Sequence, residues 1–486
     1  AAAHPSLLTD DPARPAPSGD APSADAGETA DPPPAPWGSR ARPSAAEAAL
    51  PRATTAVLVN GARFYVDHAH PEYSSPEVLT PRDALIWDRA GEVVARRAMT
   101  ALGDEGDRDG TPVEIVLYKN NVDGKGAAYG SHENYLVRRD VPFEELAVVL
   151  TPFLVTRPVI AGAGRVGIGQ RSERPGFQIS QRADYVESEI GLQTTFNRPI
   201  INTRDEPHAD SARWRRLHVI NGDANRFDVP IYLKVATTDL LLWFLEQACT
   251  EGSGRFTEAL ARLKDLAIIG DPVEEHWALS HDPSLSHELR TQAGAMTALE
   301  VQRAFLDAVS PAVTRVEDAQ AHRALALWRQ VLDALEQWRH DGSGPAAQMV
   351  EWVAKYELCE GLRRRSGTGW DDPRLAALDI QWADLRPGRS VVDKLDAAGR
   401  IHRLVTDAEI QNAVDTPPEG TRAAIRGTAI RRHRQVVGAS WTCLLLDVPG
   451  APALARLRLP DDVVVGSDET ATILEEIGRR ADPERH

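Results

Sequence analysis

The sequence predicts an α+β protein: an antiparallel sheet with one polar face, backed by helices and followed by a small C-terminal α+β domain. Three observations carry this. Short alternating or apolar stretches bounded by turn residues recur from Ala56 to Ile220. From Thr237 onward apolar residues return with helical spacing, in segments separated by Gly, Pro and Ser. Beyond Asp407 the two patterns mix. The expected division is a 1–52 tail or loop, a 53–408 sheet-and-helix domain and a 409–486 C-terminal domain.

Residues 1–52 stand apart. The first fifty hold 15 Ala and 10 Pro, with only Leu7, Leu8, Trp37 and Leu50 as large apolar side chains. Such a segment cannot bury enough surface to offset the entropy of ordering it, so it is expected to be disordered. It lacks the charged, apolar and cleavage regions of a signal peptide. The chain opens on Ala rather than Met, so its first residue is not expected to be where translation began.

Ala56–Val59 is a short apolar run, Asn60-Gly61 is a hairpin signal, and Arg63–Asp67 alternates strictly. Phe64 and Val66 should face one side of that strand, and Arg63, Tyr65 and Asp67 the other. A base, a phenol and an acid in one row suit a strand whose polar face lines a site. A helix follows, with Thr80 as its cap, Pro81 at its first position and Asp83 completing a capping-box-like pattern. After the polar loop Gly103–Thr111, strands are expected over Val113–Tyr118, His132–Val137, Gly176–Arg182 and Leu217–Ile220. Helices are expected over Thr237–Cys249, Thr297–Ala308, Val316–Arg339 and Ala346–Arg365, with the clearest break at Gly342–Pro345. A short helix near Asp407–Ala413, a strand over Trp441–Val448 and a helix over Thr470–Arg480 complete the pattern.

Composition narrows the function classes. The formal charge of −16 disfavours a nucleic-acid partner, since neutralising phosphates takes a basic face. The longest apolar run, Leu240–Leu245, is far short of the ~18 residues that span a bilayer. Cys249, Cys359 and Cys443 have neither metal-ligand spacing nor the density of a disulfide framework, which fits a reducing, cytoplasmic setting.

Three clusters carry chemistry. Arg63 to Ser75 offers carboxylates, imidazoles, a phenol and hydroxyls within thirteen residues, the groups that Mg²⁺–nucleotide sites use. A turn with merely solvated charges is the alternative, and the alternating row ahead of it favours a site. Lys119 to Tyr135 combines Gly124, Gly126 and Gly130 with His132, but lacks the Gly-Lys-Ser/Thr of a Walker loop. A structural role for His132 is the plainer reading of that cluster on its own. The third group is Arg182, Arg204 and Arg216 with His218, whose guanidinium forks suit phosphate or carboxylate. Arg182 and Arg204 could equally pair with Asp184 and Asp205.

The stretches Tyr65–Tyr73, Asn120–Tyr135, Gln181–Tyr185 and Asn202–His208 resemble the Pup ligase/depupylase family, glutamine-synthetase-like carboxylate–amine ligases of actinobacteria. Their Asp-His-Ala-His-Pro-Glu and Val-Asp-Gly-Lys-Gly versions are similar to the depupylase branch. The resemblance implies a curved glutamine-synthetase-like sheet holding ATP and Mg²⁺. It also implies an ATP/Mg-dependent hydrolase that deamidates the C-terminal Gln of Pup and cleaves the Pup–lysine isopeptide bond, with pupylated proteins as partners and a link to the bacterial proteasome. It assigns Asp67 as the catalytic aspartate and Tyr65, Glu72, His132 and His218 as magnesium ligands. Arg63, Ser75 and Trp441 become nucleotide contacts, and Arg182, Arg204 and Arg426 phosphate contacts. The family's opening Gly-Thr-Glu-Thr-Glu strand, with its magnesium-binding glutamate, has no counterpart in the sequence. The alternatives are a Pup–protein ligase and an inactive Pup-binding module or fragment without that strand.

Overall fold

A computed structural model describes residues 37–41, 55–67, 70–106, 110–194, 196–250 and 254–481. They form two compact units. The first takes the described residues up to Val93, His208–Asp210 and those from Asp407 onward; the second takes Val94–Pro207 and Ser211–Thr406.

In the first unit, strands Thr55–Val57, Arg63–Asp67 and His70–Ser74 form a three-stranded antiparallel sheet. Its first turn is Asn60-Gly61. Asn60 Oδ1 accepts from Ala62 N at 3.0 Å, while its Nδ2 donates to Tyr73 Oη and to Ala413 O. Gly61 has φ of 81°, and a Cβ there would collide with Ala423, so both backbone and packing require glycine. The sequence reading puts this hairpin in a 53–408 domain; the structure groups it with the C-terminal residues. Val57 is the reason, being buried in one core with Ile425, Ile430, Leu444, Leu457 and Ile477. Burying such aliphatic side chains contributes about 1.5–3 kcal/mol each.

A second, four-stranded sheet in this unit runs in the order Trp37–Ala41, Ala453–Arg458, Cys443–Leu446, Val436–Ala439. Trp37–Ala41 lies in the segment expected to carry no element. Its backbone pairs antiparallel with Ala453–Arg458 from Trp37↔Leu457 to Ala41↔Ala453. An open sheet edge offers unpaired N–H and C=O groups, so such pairing does not depend on an apolar pattern. The rest of residues 1–52 lies outside the described residues.

In the second unit, strands Glu133–Arg138, Trp214–Val219, Arg198–Asn202 and Val186–Gly191 are adjacent in that order. The first two pairings are antiparallel and the last is parallel. Thus the expected polar strands fall in separate small sheets. Val113–Tyr118 forms no strand; Tyr118 makes a single bridge to Asp384. Pro112 cannot donate to a ladder, the Leu117 N–H turns to Met99 Sδ, and Ile115 and Leu117 pack against Ala95, Met99 and Leu385. The strand expected over Gly176–Arg182 ends at Gln178. Beyond it Asp223 takes the Ser180 hydroxyl and the N–H groups of Gln181 and Arg182, which therefore leave the ladder.

The helices follow their caps. Thr80 Oγ1 accepts from Asp83 N at the start of Pro81–Glu105. Thr297 and Glu300 form a capping box at the start of Ala298–Val313. Asp318 opens Ala319–Asp341, and Gly342, left-handed at φ 69°, ends it. The helix expected over Ala346–Arg365 breaks at Val350 into Ala346–Met349 and Glu351–Ser366. Tertiary demand overrides periodicity here. The buried Glu351 carboxylate accepts from Arg226 N, Phe227 N and Trp382 Nε1. Phe143–Thr156, apolar from Leu146 to Val155 apart from Thr151 and containing Pro152, is a largely buried helix that periodicity does not mark. Among the described residues no helix is long and apolar enough to cross a membrane.

Candidate active site

The residues singled out from sequence fall into two clusters, one in each unit. In the first unit the hairpin register places Arg63 opposite Ser74, Tyr65 opposite Glu72, and Asp67 opposite His70. One face of two strands therefore carries six polar side chains, as the alternation requires. Tyr65 Oη donates to Glu72 Oε2 at 2.6 Å, and the Arg63 guanidinium lies 4.9 Å from the Tyr65 ring centre. Burial, and then the negative charge of Glu72, push the Tyr65 phenol well above its ordinary pKa, so it stays protonated and donating. Asp67, half-buried, ends the strand. Ser75 follows the second strand directly. On the other face Tyr73 packs so closely on the helix Pro81–Glu105 that a Cβ at Gly91 would enter its ring.

Arg426, Trp441 and Arg63 line a cleft with Val57, Gly61 and Ser440. The Arg426 guanidinium lies 4.9 Å from the Trp441 ring centre. It donates to Gly61 O, Trp441 O and both oxygens of Glu77. Sequence reasoning missed Glu77 and Arg422. They sit in Ser-Pro-Glu77 and Thr-Arg422, with no local pattern to mark them.

In the second unit Glu133–Arg138 and Trp214–Val219 pair so that His218 is opposite Asn134. The rings of His132 and His218 meet edge to face with centres 5.1 Å apart. A Cβ at Gly130 would run into the His132 ring, so this close approach needs glycine. An Arg216 Nη lies 3.1 Å from His218 Nδ1. A guanidinium can only donate, so Nδ1 accepts and the hydrogen of the neutral ring sits on Nε2. Burial, then His132, Arg216 and Arg204, push the His218 pKa down to about 2. His132 leaves one side open to solvent; the surrounding protein, then Arg182, Arg216, Arg198 and Arg204, hold its pKa below the ordinary histidine range.

The arginines have different fates. Arg182 is buried, with its terminal nitrogens donating to Tyr129 O and Ile220 O. Arg204 is exposed, and among the described residues its guanidinium makes no hydrogen bond or ion pair. The bland pairings do not form: Asp205 is held by Arg139 at 2.8 Å, and Asp184 by His281 at 2.7 Å. Below the sheet, Arg157 grips both oxygens of Glu133 at 2.8 Å each.

A protein-family model described as Pup-ligase protein matches residues 20–445. The chain belongs to the Pup-ligase family. It is 45% identical over 408 residues to a Pup deamidase/depupylase of Mycolicibacterium smegmatis, covering 83% of this chain and 78% of that protein. It is 43% identical over 408 residues to a depupylase of Acidothermus cellulolyticus, covering 82% and 77%. The Pup ligase PafA, solved in complex with ADP, superposes with a TM-score of 0.76 at 33% identity, covering 89% of this chain and 91% of that one. The fold is that of this glutamine-synthetase-like family, and the fold class and family read from the sequence hold.

For a Pup-ligase member the donor chemistry can be tested against Mg²⁺. The Glu72 carboxylate is the kind of hard donor this ion takes, and the Tyr65 oxygen beside it is a neutral phenol that donates its hydrogen to Glu72. His218, with Nδ1 engaged by Arg216 and a hydrogen on Nε2, offers no lone pair in this arrangement. Among the described residues no group of three or more His, Cys, Asp or Glu is gathered as a metal site.

The histidines make stability pH-dependent. Folded His218 resists protonation, whereas an unfolded histidine titrates near pH ~6.5. Below that pH the unfolded state binds more protons, so the contribution of His218 is complete above about pH 6.5 and declines as pH falls. His218→Gln should flatten the dependence by up to about 1.4 kcal/mol per pH unit between roughly pH 6 and 4. Urea unfolding of both proteins across that range measures it, and parallel curves would contradict it.

Proposed function

We propose that the chain is a Pup deamidase and depupylase, hydrolysing the terminal Gln amide of Pup and the Pup–lysine isopeptide bond. The observation that carries this is the polar hairpin face: Asp67 ends a row begun by Arg63 and Tyr65, opposite a row that includes Glu72. The 45% identity to a protein named for this activity supports it. Pupylated proteins are then the substrates, with the bacterial proteasome as a functional neighbour. The free Cys249, Cys359 and Cys443 suit a cytoplasmic setting.

An amide carbonyl is a weak electrophile, so cleavage needs a nucleophile and stabilisation of the developing oxyanion. By one route the Asp67 carboxylate attacks the amide carbon, the C–N bond breaks as ammonia or the lysine amine departs with a proton taken from solvent water, and a second water opens the resulting anhydride to two carboxylates. By the other, Asp67 takes a proton from the attacking water. Either way water adds across the C–N bond. Tyr65 holds Glu72 by its hydrogen bond, and Arg63 stacks on Tyr65, which fixes the row. In this reading ATP and Mg²⁺ are the cofactors, with Glu72 and Tyr65 holding the ion and Arg63, Ser75 and Trp441 contacting the nucleotide. When bound, the ion supplies positive charge against the oxyanion. Of the second-unit residues, Arg204 has a guanidinium open to a phosphate, Arg182 braces the Tyr129 loop, and His132 and His218 remain candidate ligands once Arg216 releases Nδ1.

Incubating the protein with Gln-ended Pup and Mg-ATP should release ammonia. Conjugation of Glu-ended Pup to lysine in place of that release would mean a ligase. Mg-ATP at about a hundred times its Kd should stabilise the protein by ~2.7 kcal/mol and raise its melting temperature. Glu72→Ala should remove most of that shift; an undiminished shift would show that Glu72 holds no metal.

A further inference from the structure

We infer that Glu77 is a positioning residue for the ring end of a bound adenine nucleotide, acting through Arg426 on Trp441. This rests on the nucleotide reading above and adds a residue to it. A guanidinium has five N–H donors, and those of Arg426 meet five acceptor contacts. Nε and Nη2 reach Gly61 O at 3.1 and 2.7 Å, Nη2 also reaches Glu77 Oε2 at 2.5 Å, and Nη1 reaches Glu77 Oε1 at 3.1 Å and Trp441 O at 3.3 Å. Arg426 therefore has no donor left for a phosphate. It is a strut that ties the Asn60-Gly61 turn to the Trp441 backbone, with its Cζ over the indole, 4.9 Å from the ring centre.

Among the described residues only Glu77 forms an ion pair with that strut. Arg426 and Arg422 are 1% and 2% exposed, and each lies within 4 Å of Glu77, at 2.5 and 3.5 Å. Two buried guanidiniums share one carboxylate, which is held ionised below the usual range by Arg426 and Arg422 against its burial. Gln in its place would remove the charge, and Asp would keep the charge but shorten the reach. Either should let Arg426 swing from Trp441 O and loosen the indole that forms one wall of the Arg63, Ser440 and Trp441 cleft. Ligands that stack a ring on this wall should suffer, and those without a ring should not.

The test is calorimetric affinity for ADP and for inorganic tripolyphosphate, in the full chain and in Glu77→Asp, Glu77→Gln and Trp441→Ala. The expected result for Glu77→Asp is ADP affinity weakened by at least about tenfold, with tripolyphosphate unchanged within about twofold. Adding Glu77→Asp to Trp441→Ala should weaken ADP no further, because both act on one wall. Should Glu77→Gln fail to fold, the Asp variant gives the answer alone. ADP binding unaltered by Glu77→Asp, or an equal loss for both ligands, overturns this inference only. A full chain that binds no ADP overturns the nucleotide reading and this inference with it.

Discussion

Asp67→Asn should lower ammonia release from Gln-ended Pup by at least about a thousandfold, a loss of roughly 4 kcal/mol in transition-state stabilisation. Pup affinity should stay within about twofold, because an isosteric amide barely alters ground-state contacts. The expectation comes from position. Asp67 closes the Arg63, Tyr65, Asp67 row and lies in register with His70. In the same row Tyr65 and Glu72 are bound to each other at 2.6 Å. Asn can neither form the acyl anhydride nor take a proton from water, so both routes fail together. Single-turnover kinetics beside a Pup-binding titration separate the two effects. A variant retaining more than about a tenth of the rate, a deficit of only ~1.4 kcal/mol, would assign the chemistry elsewhere.

The largest stability effect should come from the bond beneath the histidines. Glu133→Ala should destabilise the second unit by about 3–5 kcal/mol, since it leaves the Arg157 guanidinium buried without its carboxylate. Both side chains are nearly inaccessible, at 3% and 6% exposure, and the pair is bidentate. Thr238 Oγ1, Lys234 O and Asn221 Oδ1 also accept from Arg157, but none carries a charge. Glu133 also accepts from Tyr135 Oη at 2.6 Å and opens its strand directly after His132, so the loss should disorder the His132–His218 contact as well. Replacing both partners, Glu133→Leu with Arg157→Met, should recover much of the stability, as no charge is then left alone. Denaturant midpoints for the three variants test this. A single-variant loss below about 1 kcal/mol would mean that the pair contributes little.

What could be read from sequence divides by range. The Arg63–Asp67 strand, its Asn60-Gly61 turn and its polar face were legible because alternation and turn chemistry are local. The Thr80 cap was legible for the same reason, whereas the Thr297 cap was read as the first residue of its helix. The break at Val350 was not, because it answers to Glu351 receiving N–H groups from Arg226 and Phe227, 125 and 124 residues away. Likewise Glu77 has no visible purpose until Arg426, 349 residues later, closes on it. The arginines show the same limit. Sequence offered Asp184 and Asp205 as neighbours for Arg182 and Arg204, whereas tertiary structure gives those carboxylates to His281 and Arg139. Arg182 is drawn instead to two carbonyls. Family resemblance supplied roles for residues whose spacing alone left a solvated turn equally admissible.

Hydrolysis of a Pup–lysine conjugate in oxygen-18 water, with Mg-ATP present, tests the assignment of amide cleavage most directly. The expected result is free lysine on the target protein and Pup released with one oxygen-18 atom in its terminal side-chain carboxylate. Asp67→Asn should give neither product. Intact conjugate after prolonged incubation, together with new conjugate formed from Glu-ended Pup and lysine, would contradict the assignment and make the chain a ligase.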